Sequence, residues 1–279
     1  MQKKFWKMHG IGNDYIYFDC FDWQPDDPAA LAVKLSDRHF SVGGDGVVLI
    51  MRSAVADARM RMFNADGSEG KMCGNAIRCI GKFLYEIKGM QKPVLKVETL
   101  SGIKTLSVNA ENGVVRSVRV DMGAAELRPS RIPARFEGER AVNVPLVADG
   151  KEYRVTCVSM GNPHCVTFVD DPYSVDLEKT GPAFEHHAAF PERVNTEFVR
   201  VDGRNELTMR VWERGSGETW ACGTGACAVA TAGVLNGFCD AGAEITVHLR
   251  GGDLSVSYTP EAVYMTGPAA FAFTGEVEI

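Results

Sequence analysis

The chain has 279 residues, 45% of them hydrophobic and 24% charged, with a formal charge of −6. That length holds two ordinary domains, and the composition is that of a globular protein rather than a disordered one. The acidic balance argues against a nucleic-acid partner, which needs clustered Lys and Arg. No apolar run reaches the roughly 18 residues of a membrane helix, and MQKKFWKMHGIGNDY lacks the apolar centre of a signal peptide. No membrane partner is expected, and the cytoplasm is the expected location. Small-molecule chemistry is the class left standing.

In chain order, Gly12-Asn13 opens a strand-like run, Tyr15 to Phe18, rich in β-branched and aromatic residues. DPAALAVKLSDRHF follows, with Asp27 to cap a helix and Pro28 in its first turn. The strand MRMFN then leads through a Gly-rich loop to Cys73 and a predicted helix, GNAIRCIGKFLYEIKG, punctuated by Gly89. VVRSVRVDM alternates as a strand does. RPSRIPARFEGERAVNVP, with its prolines and mixed charges, suits a crossover.

Gly161-Asn162 then opens a second strand-like run, Cys165 to Phe168. LTMRVWE sets Leu207, Met209 and Val211 against Thr208, Arg210 and Trp212 with period two. A third predicted helix, GTGACAVATAGVL, begins after Cys222 and ends at Asn236-Gly237. Being mostly Ala, Gly and Val, it must be approached closely by its neighbours, as a helix surrounded by strands would be.

The second set of elements repeats the first. With Met60 to Asn75 set over Met209 to Thr224, five of sixteen positions are identical and the cysteines align without a gap, 222 − 73 = 149. About one identity is expected by chance. The same offset joins Asn13 to Asn162, 162 − 13 = 149. Two similar halves are expected, 1–130 and 145–279, with the C-terminal tail open to completing the first half's sheet.

Eight cysteines in a reducing compartment should be thiols, and Cys20, Cys157, Cys165 and Cys239 read as small buried hydrophobes. Cys79 and Cys227 read as helix packing. Cys73 and Cys222 differ, because each falls at a helix N-terminus, where free N–H groups and the helix dipole favour an anion. A thiolate there is expected to have a pKa below the free value of about 8.5. The N–H groups beside Gly74 and Gly223 can also hold a carboxylate. Two thiols converging on one small acid would move a proton from one face of a carbon to the other, with no cofactor.

Rival readings stay open at this point. A zinc site from Cys73, Cys79, Cys222 and Cys227 has spacings of C-x5-C and C-x4-C rather than close pairs. At about 100° per residue neither pair shares a helix face. A single cysteine nucleophile with His164 as base would leave the second cysteine unused. Asn13 and Asn162 also suit turns, and Glu213-Arg214 also suits a solvated strand end.

GNDY (Gly12 to Tyr15), FNADGSE (Phe63 to Glu69), CGNAIR (Cys73 to Arg78), GNPHCV (Gly161 to Val166), ERGSGETWACGTGA (Glu213 to Ala226) and GPA (Gly267 to Ala269) together closely resemble the diaminopimelate epimerases. The resemblance runs along essentially the whole chain. It implies an α+β fold of two pseudo-symmetric domains, each a curled, mostly antiparallel sheet around a central helix, with the site in the cleft between them. It implies cofactor-independent, two-base interconversion of LL- and meso-diaminopimelate on the route to lysine and peptidoglycan, by a homodimer.

Residue by residue, Cys73 and Cys222 match the catalytic pair, and the amides of Gly74, Asn75, Gly223 and Thr224 match the groups holding the reacting carboxylate. Asn64 and Glu213 resemble contacts to the reacting end, and Asn13, Asn162, Asn195 and Arg214 the set gripping the distal end. His164 resembles a residue close to the cysteines. At Gly46 some relatives carry a Gln that reaches the distal end, a contact Gly cannot make. Asn195 is the repeat partner of Gly46. Proline- and hydroxyproline-type racemases share the paired-thiol logic, but a cyclic imino acid has no second head for Asn13, Asn195 and Arg214. A phenazine-type isomerase on this fold is expected without the cysteines. The reading from another class is a zinc or purely structural binding module.

Overall fold

In a computed structural model that describes residues 1–279, strand β1 (Gln2–Gly10) turns back through Ile11 and Gly12 into β2 (Asn13–Cys20). Both turn residues have positive φ, 47° and 89°, the geometry of a tight two-residue hairpin, and Gly12 adopts it without a Cβ penalty. The chain continues through α1 (Pro28–Ser36), β3 (Gly46–Met51), β4 (Ala58–Asn64), β5 (Glu69–Gly70), α2 (Gly74–Glu86), β6 (Val94–Thr99), β7 (Gly102–Glu111) and β8 (Val114–Gly123). These elements and the C-terminal strand Ala270–Glu278 make one unit, residues 1–121 with 266–279. The C-terminal strand pairs antiparallel with β1. From there the ladder runs β1–β2–β3–β4–β6–β7–β8, parallel at β2–β3 and β4–β6 and antiparallel at the other joints.

The second unit, residues 122–265, is built in the same order. It contains β9 (Val144–Ala148), β10 (Lys151–Ser159), β11 (Pro163–Phe168), α3 (Leu177–Glu185), β12 (Asn195–Gly203), β13 (Glu206–Glu213), β14 (Gly217–Glu218), α4 (Gly223–Leu235), β15 (Ile245–Leu249) and β16 (Gly252–Tyr258). The chain then runs through β17 (Val263–Gly267) into the C-terminal strand, β18. Its ladder is β9–β10–β11–β12–β13–β15–β16, parallel at β11–β12 and β13–β15. The offset of the repeat is reproduced element by element: β10 starts 151 − 2 = 149 residues after β1, α3 177 − 28 = 149 after α1, and α4 223 − 74 = 149 after α2.

Helix α1 begins as its sequence predicts, with the Asp27 carboxylate accepting from the Ala30 N–H at 2.9 Å. It stops at Ser36, earlier than DPAALAVKLSDRHF allows, because Asp37 draws the N–H groups of His39 and Phe40 to its own carboxylate at 2.8 Å. The matching helix α3 has no counterpart among the three helices expected from sequence. Gly181 and Pro182 sit inside it, and both read as breakers. Gly181 is needed there, since a Cβ would lie 2.3 Å from the Trp212 ring.

Helix α4 is apolar on every side, and Ala226 to Gly233 are all buried. A helix of that kind needs cover all round, and strands β10, β11, β12, β13, β15 and β16 supply it. A Cβ on Gly233 would come within 2.9 Å of Cys239 Sγ, so the backbone approaches as closely as the small side chains foretold. The stretch expected as a crossover also contributes to packing: Ile132 and Ala141 are fully buried with Phe184 and Phe190 in the second unit's core. All eight cysteines are free thiols, and all but Cys73 are buried. No helix is long and apolar enough to cross a membrane.

Candidate active site

Each unit places one cysteine at a helix N-cap. Cys73 caps α2, and its sulfur accepts from the Ala76 N–H at 3.4 Å. Cys222 caps α4 and accepts from the Gly225 N–H at 3.3 Å. In both cases the sulfur takes the place of a capping oxygen. The first two helical residues behind each cap, Gly74 and Asn75 or Gly223 and Thr224, belong to the turn whose N–H groups no carbonyl of the helix receives.

In the first unit the Cys73 thiol donates to Asn13 Oδ1 at 3.4 Å, and Asn13 Nδ2 donates to Asp45 Oδ2 at 2.7 Å. Asp45 and Asp14 share the guanidinium of Arg38, and Asp14 also faces the buried ammonium of Lys7 at 2.5 Å. Burial pushes the Asp45 carboxyl up, whereas Arg38 and Lys7 outweigh burial at Asp14 and hold it below its usual value. The amide of Asn13, the residue expected at the distal end of a substrate, is therefore oriented by a carboxylate that sequence reading did not single out.

Asn64, at the end of β4, donates to Ser68 Oγ at 3.0 Å. It lies opposite Gly46 in the β3–β4 ladder. A Cβ on Gly46 would stand 2.0 Å from the Phe63 carbonyl oxygen and 2.8 Å from the Tyr15 ring. Gly is thus imposed here by the approach of two backbones, and a Gln could enter only if the strands moved apart.

Behind the first cap lies Arg78, a residue not among those expected at the site. This guanidinium is fully buried and donates to Pro268 O at 3.2 Å, Gly74 O at 3.1 Å and Asn75 Oδ1 at 2.9 Å. It ties the first turn of α2 to the Gly267–Ala269 motif. A Cβ on Gly10 would be 2.8 Å from it. The only local signal was its place between the apolar residues Ile77 and Cys79, where a cation has to find acceptors.

In the second unit Asn162 Nδ2 donates to Thr224 Oγ1 at 3.3 Å, and Thr224 Oγ1 lies 3.5 Å from Cys222 Sγ. Asn162 Oδ1 is 3.1 Å from His164 Nε2, and His164 Nδ1 is 2.7 Å from Glu197 Oε1. His164 and Glu197 have no exposed surface. Asn195 is tied down at both ends of its amide, donating to Pro163 O at 2.7 Å and accepting the Arg214 N–H at 3.0 Å. The Arg214 guanidinium donates to Glu192 O at 2.9 Å. Glu213 Oε1 accepts from Thr219 at 2.5 Å, and burial pushes its carboxyl up.

One expectation needs correcting. A helix N-terminus was expected to lower both thiol pKa values, yet Cys222 is held well above the ordinary thiol range. Burial contributes most, and the carboxylates of Glu213 and Glu197 add to it; together they outweigh the Thr224 hydroxyl and the Gly225 N–H. The dipole is present, but a fully desolvated sulfur beside two acids keeps its proton.

A mixed sheet wrapped around a helix, built twice in one chain, defines the fold class. Solved structures of that fold include a Bacillus anthracis phenazine biosynthesis protein of the PhzF family, with TM-score 0.74 and 18% identity over the whole of both chains. Another is a hydroxyproline epimerase from Agrobacterium vitis, with TM-score 0.72 and 15% identity over 99% of this chain and 92% of that one. Sequence narrows the class to one family. The diaminopimelate epimerase family model matches residues 5–128 and 156–272. Diaminopimelate epimerases of Acetivibrio thermocellus and Agathobacter rectalis are 54% and 52% identical, each over 99% of both chains. That of Methanococcus maripaludis is 51% identical over 99% of this chain and all of its own. The chain belongs to the diaminopimelate epimerase family and is an isomerase.

Proposed function

We propose that Cys73 and Cys222 are the two acid–base groups of a cofactor-independent epimerisation that converts LL-diaminopimelate to the meso form for lysine synthesis. The observation that supports this reading best is the shared design of the two half-sites: in each, a helix N-cap sulfur is linked to an asparagine, directly at Cys73 and through Thr224 at Cys222, and a carboxylate holds that asparagine in place, directly or through a histidine. One sulfur removes the α-proton and the other returns a proton to the opposite face. The N–H groups of Gly74, Asn75, Gly223 and Thr224 stabilise the charge growing on the carboxylate.

In this reading Asn64 and Glu213 serve the reacting end, Asn13, Asn162, Asn195 and Arg214 the distal one, and His164 supports Cys222. With Cys222 protonated in the substrate-free chain, this sulfur rests as the acid. The reading also carries a cytoplasmic homodimer, checked by cell fractionation and light scattering on the purified protein.

Turnover in heavy water tests the chemistry. Newly formed product should carry deuterium at its α-carbon, and Cys73→Ala and Cys222→Ala should each abolish epimerisation, because one face of the carbon then has no proton carrier. Either variant turning over near the wild-type rate would sink the scheme. Proline assayed alongside should not be racemised.

A further inference from the structure

The repeat marks where the two halves differ, and the largest chemical difference lies beneath the cysteine-bearing helices. His164 corresponds to Tyr15 and Glu197 to Val48, since 164 − 15 = 149 and 197 − 48 = 149. All four side chains are buried. One half therefore packs an apolar residue where the other buries a carboxylate, so the fold as such does not require the acid. Burying a charged pair is weak evidence for stability, because an apolar pair of similar volume often serves as well or better.

The Glu197 carboxylate is also aimed with care. Oε1 meets His164 Nδ1 at 2.7 Å, and a Cβ on Gly225, in the first turn of α4, would stand 2.8 Å from the same oxygen. Oε2 is buried without a hydrogen-bond partner. A buried carboxylate left half-satisfied is costly, and the cost points to a use outside packing.

The hydrogen-bond directions show what that use is. Asn162 Nδ2 donates to Thr224, so Asn162 Oδ1 is the acceptor facing His164, and Nε2 must carry a proton to meet it. The short Nδ1 to Oε1 contact needs a proton as well. An imidazolium between a carboxylate and an amide oxygen satisfies both. The other ionisable groups that feel this pair are Glu213 on β13, Cys222 at the α4 cap and Cys165 on β11.

We propose that Glu197 is a positioning residue for the epimerisation: it holds His164 doubly protonated, and His164 fixes the Asn162 amide so that Thr224 and the Cys222 sulfur keep their places. This rests on the reading of Cys222 and Asn162 given above. The chain from Glu197 through His164 and Asn162 to Thr224 does for Cys222 what Asp45 and Asn13 do for Cys73. Here a histidine is interposed between the carboxylate and the asparagine.

The test compares the full-length wild type with Glu197→Gln, and with the double variant His164→Tyr, Glu197→Val, which installs the first half's pair. Nitrogen-15 spectra of histidine-labelled protein report the His164 ring. Both nitrogens should be protonated in the wild type at pH 7.5, and one should lose its proton in Glu197→Gln. The kcat/KM for diaminopimelate should fall at least tenfold in Glu197→Gln while its melting temperature stays within a few degrees. Should Glu197→Gln fail to fold, the double variant, whose pair already packs in the other half, should fold and show the same kinetic loss.

A His164 ring with one proton in the wild type, or unchanged by Glu197→Gln, overturns the proposal, as does wild-type kcat/KM in a folded variant. If the wild type shows the doubly protonated ring yet does not epimerise diaminopimelate, the reading of the reaction fails while the hold of Glu197 on His164 stands.

Discussion

Replacing Arg78 with Met tests whether a buried cation organises the first turn behind Cys73. Met fills much of the same volume but leaves Pro268 O, Gly74 O and Asn75 Oδ1 without the three bonds they now receive. Bonds from a charged donor are worth about 1.5–3 kcal/mol each. They share one side chain and part of the loss is offset by the added apolar burial, so the net loss is about 3–5 kcal/mol, the range seen when one partner of a buried charged group is removed. At about 1.4 kcal/mol per factor of ten, amide protection along α2 should fall roughly 100- to 4,000-fold. Hydrogen exchange read by mass spectrometry on a peptide spanning Ile77 to Phe83, all buried, measures this. A peptide from α4, in the other unit, serves as the control. A change in α2 smaller than about tenfold, or an equal change in α4, would refute the local role assigned to the guanidinium.

Three further outcomes are expected. Burial pushes Cys20 up to about 12 and Cys79 to about 11, so well below the free thiol value of about 8.5 neither folded nor unfolded chain ionises these thiols and nothing is lost. Above about pH 8.5 only the unfolded chain ionises them, and each costs about 1.4 kcal/mol per pH unit until its folded value is reached; the urea midpoint should drop between pH 8.5 and 10.5, less steeply in Cys79→Ala, and equal slopes would count against it. Gly46→Ala forces a Cβ to within 2.0 Å of the Phe63 carbonyl, so it should lower stability by about 1–3 kcal/mol, and a melting temperature equal to wild type would contradict the close approach. Glu213→Gln removes the carboxylate with the larger of two effects on the Cys222 thiol, so alkylation of Cys222 should quicken at pH 8, whereas an unchanged rate would mean that burial alone controls it.

The repeat was legible because it rests on local chemistry that sequence displays: Gly-Asn before a strand, alternation in LTMRVWE, and a cysteine followed by glycine at a helix start. The caps at Cys73 and Cys222 followed from the same signals. What escaped were residues whose partners lie far along the chain. Asp45 sits 32 residues from the Asn13 it orients, Glu197 33 from His164, and Arg78 190 from Pro268. Their neighbours in sequence do not say which distant residue each one meets. Helix α3 was missed for another reason, because Gly181 and Pro182 carry a breaker signal that tertiary packing against Trp212 overrides. The raised Cys222 pKa was missed because the sequence shows the helix terminus but not the depth of burial or the two carboxylates.

Those same long-range residues are the ones in which the two halves depart from each other. Asp45 corresponds to Val194, Glu197 to Val48 and Arg78 to Cys227, at 194 − 45, 197 − 48 and 227 − 78, each equal to 149. In every case one half carries a charged side chain, buried at Arg78 and Glu197 and partly exposed at Asp45, where its twin packs a small, uncharged one, and all three of those twins are buried. A scaffold that accepts either residue at the same place does not need the charge to fold. Each ionisable member, moreover, touches a site asparagine directly or through one histidine: Asp45 and Arg78 hold Asn13 and Asn75, and Glu197 reaches Asn162. Duplication supplied two equivalent sulfurs at two helix caps. The charged groups that differ between the halves leave those two caps in unequal surroundings, with carboxylates close to Cys222 that raise its pKa.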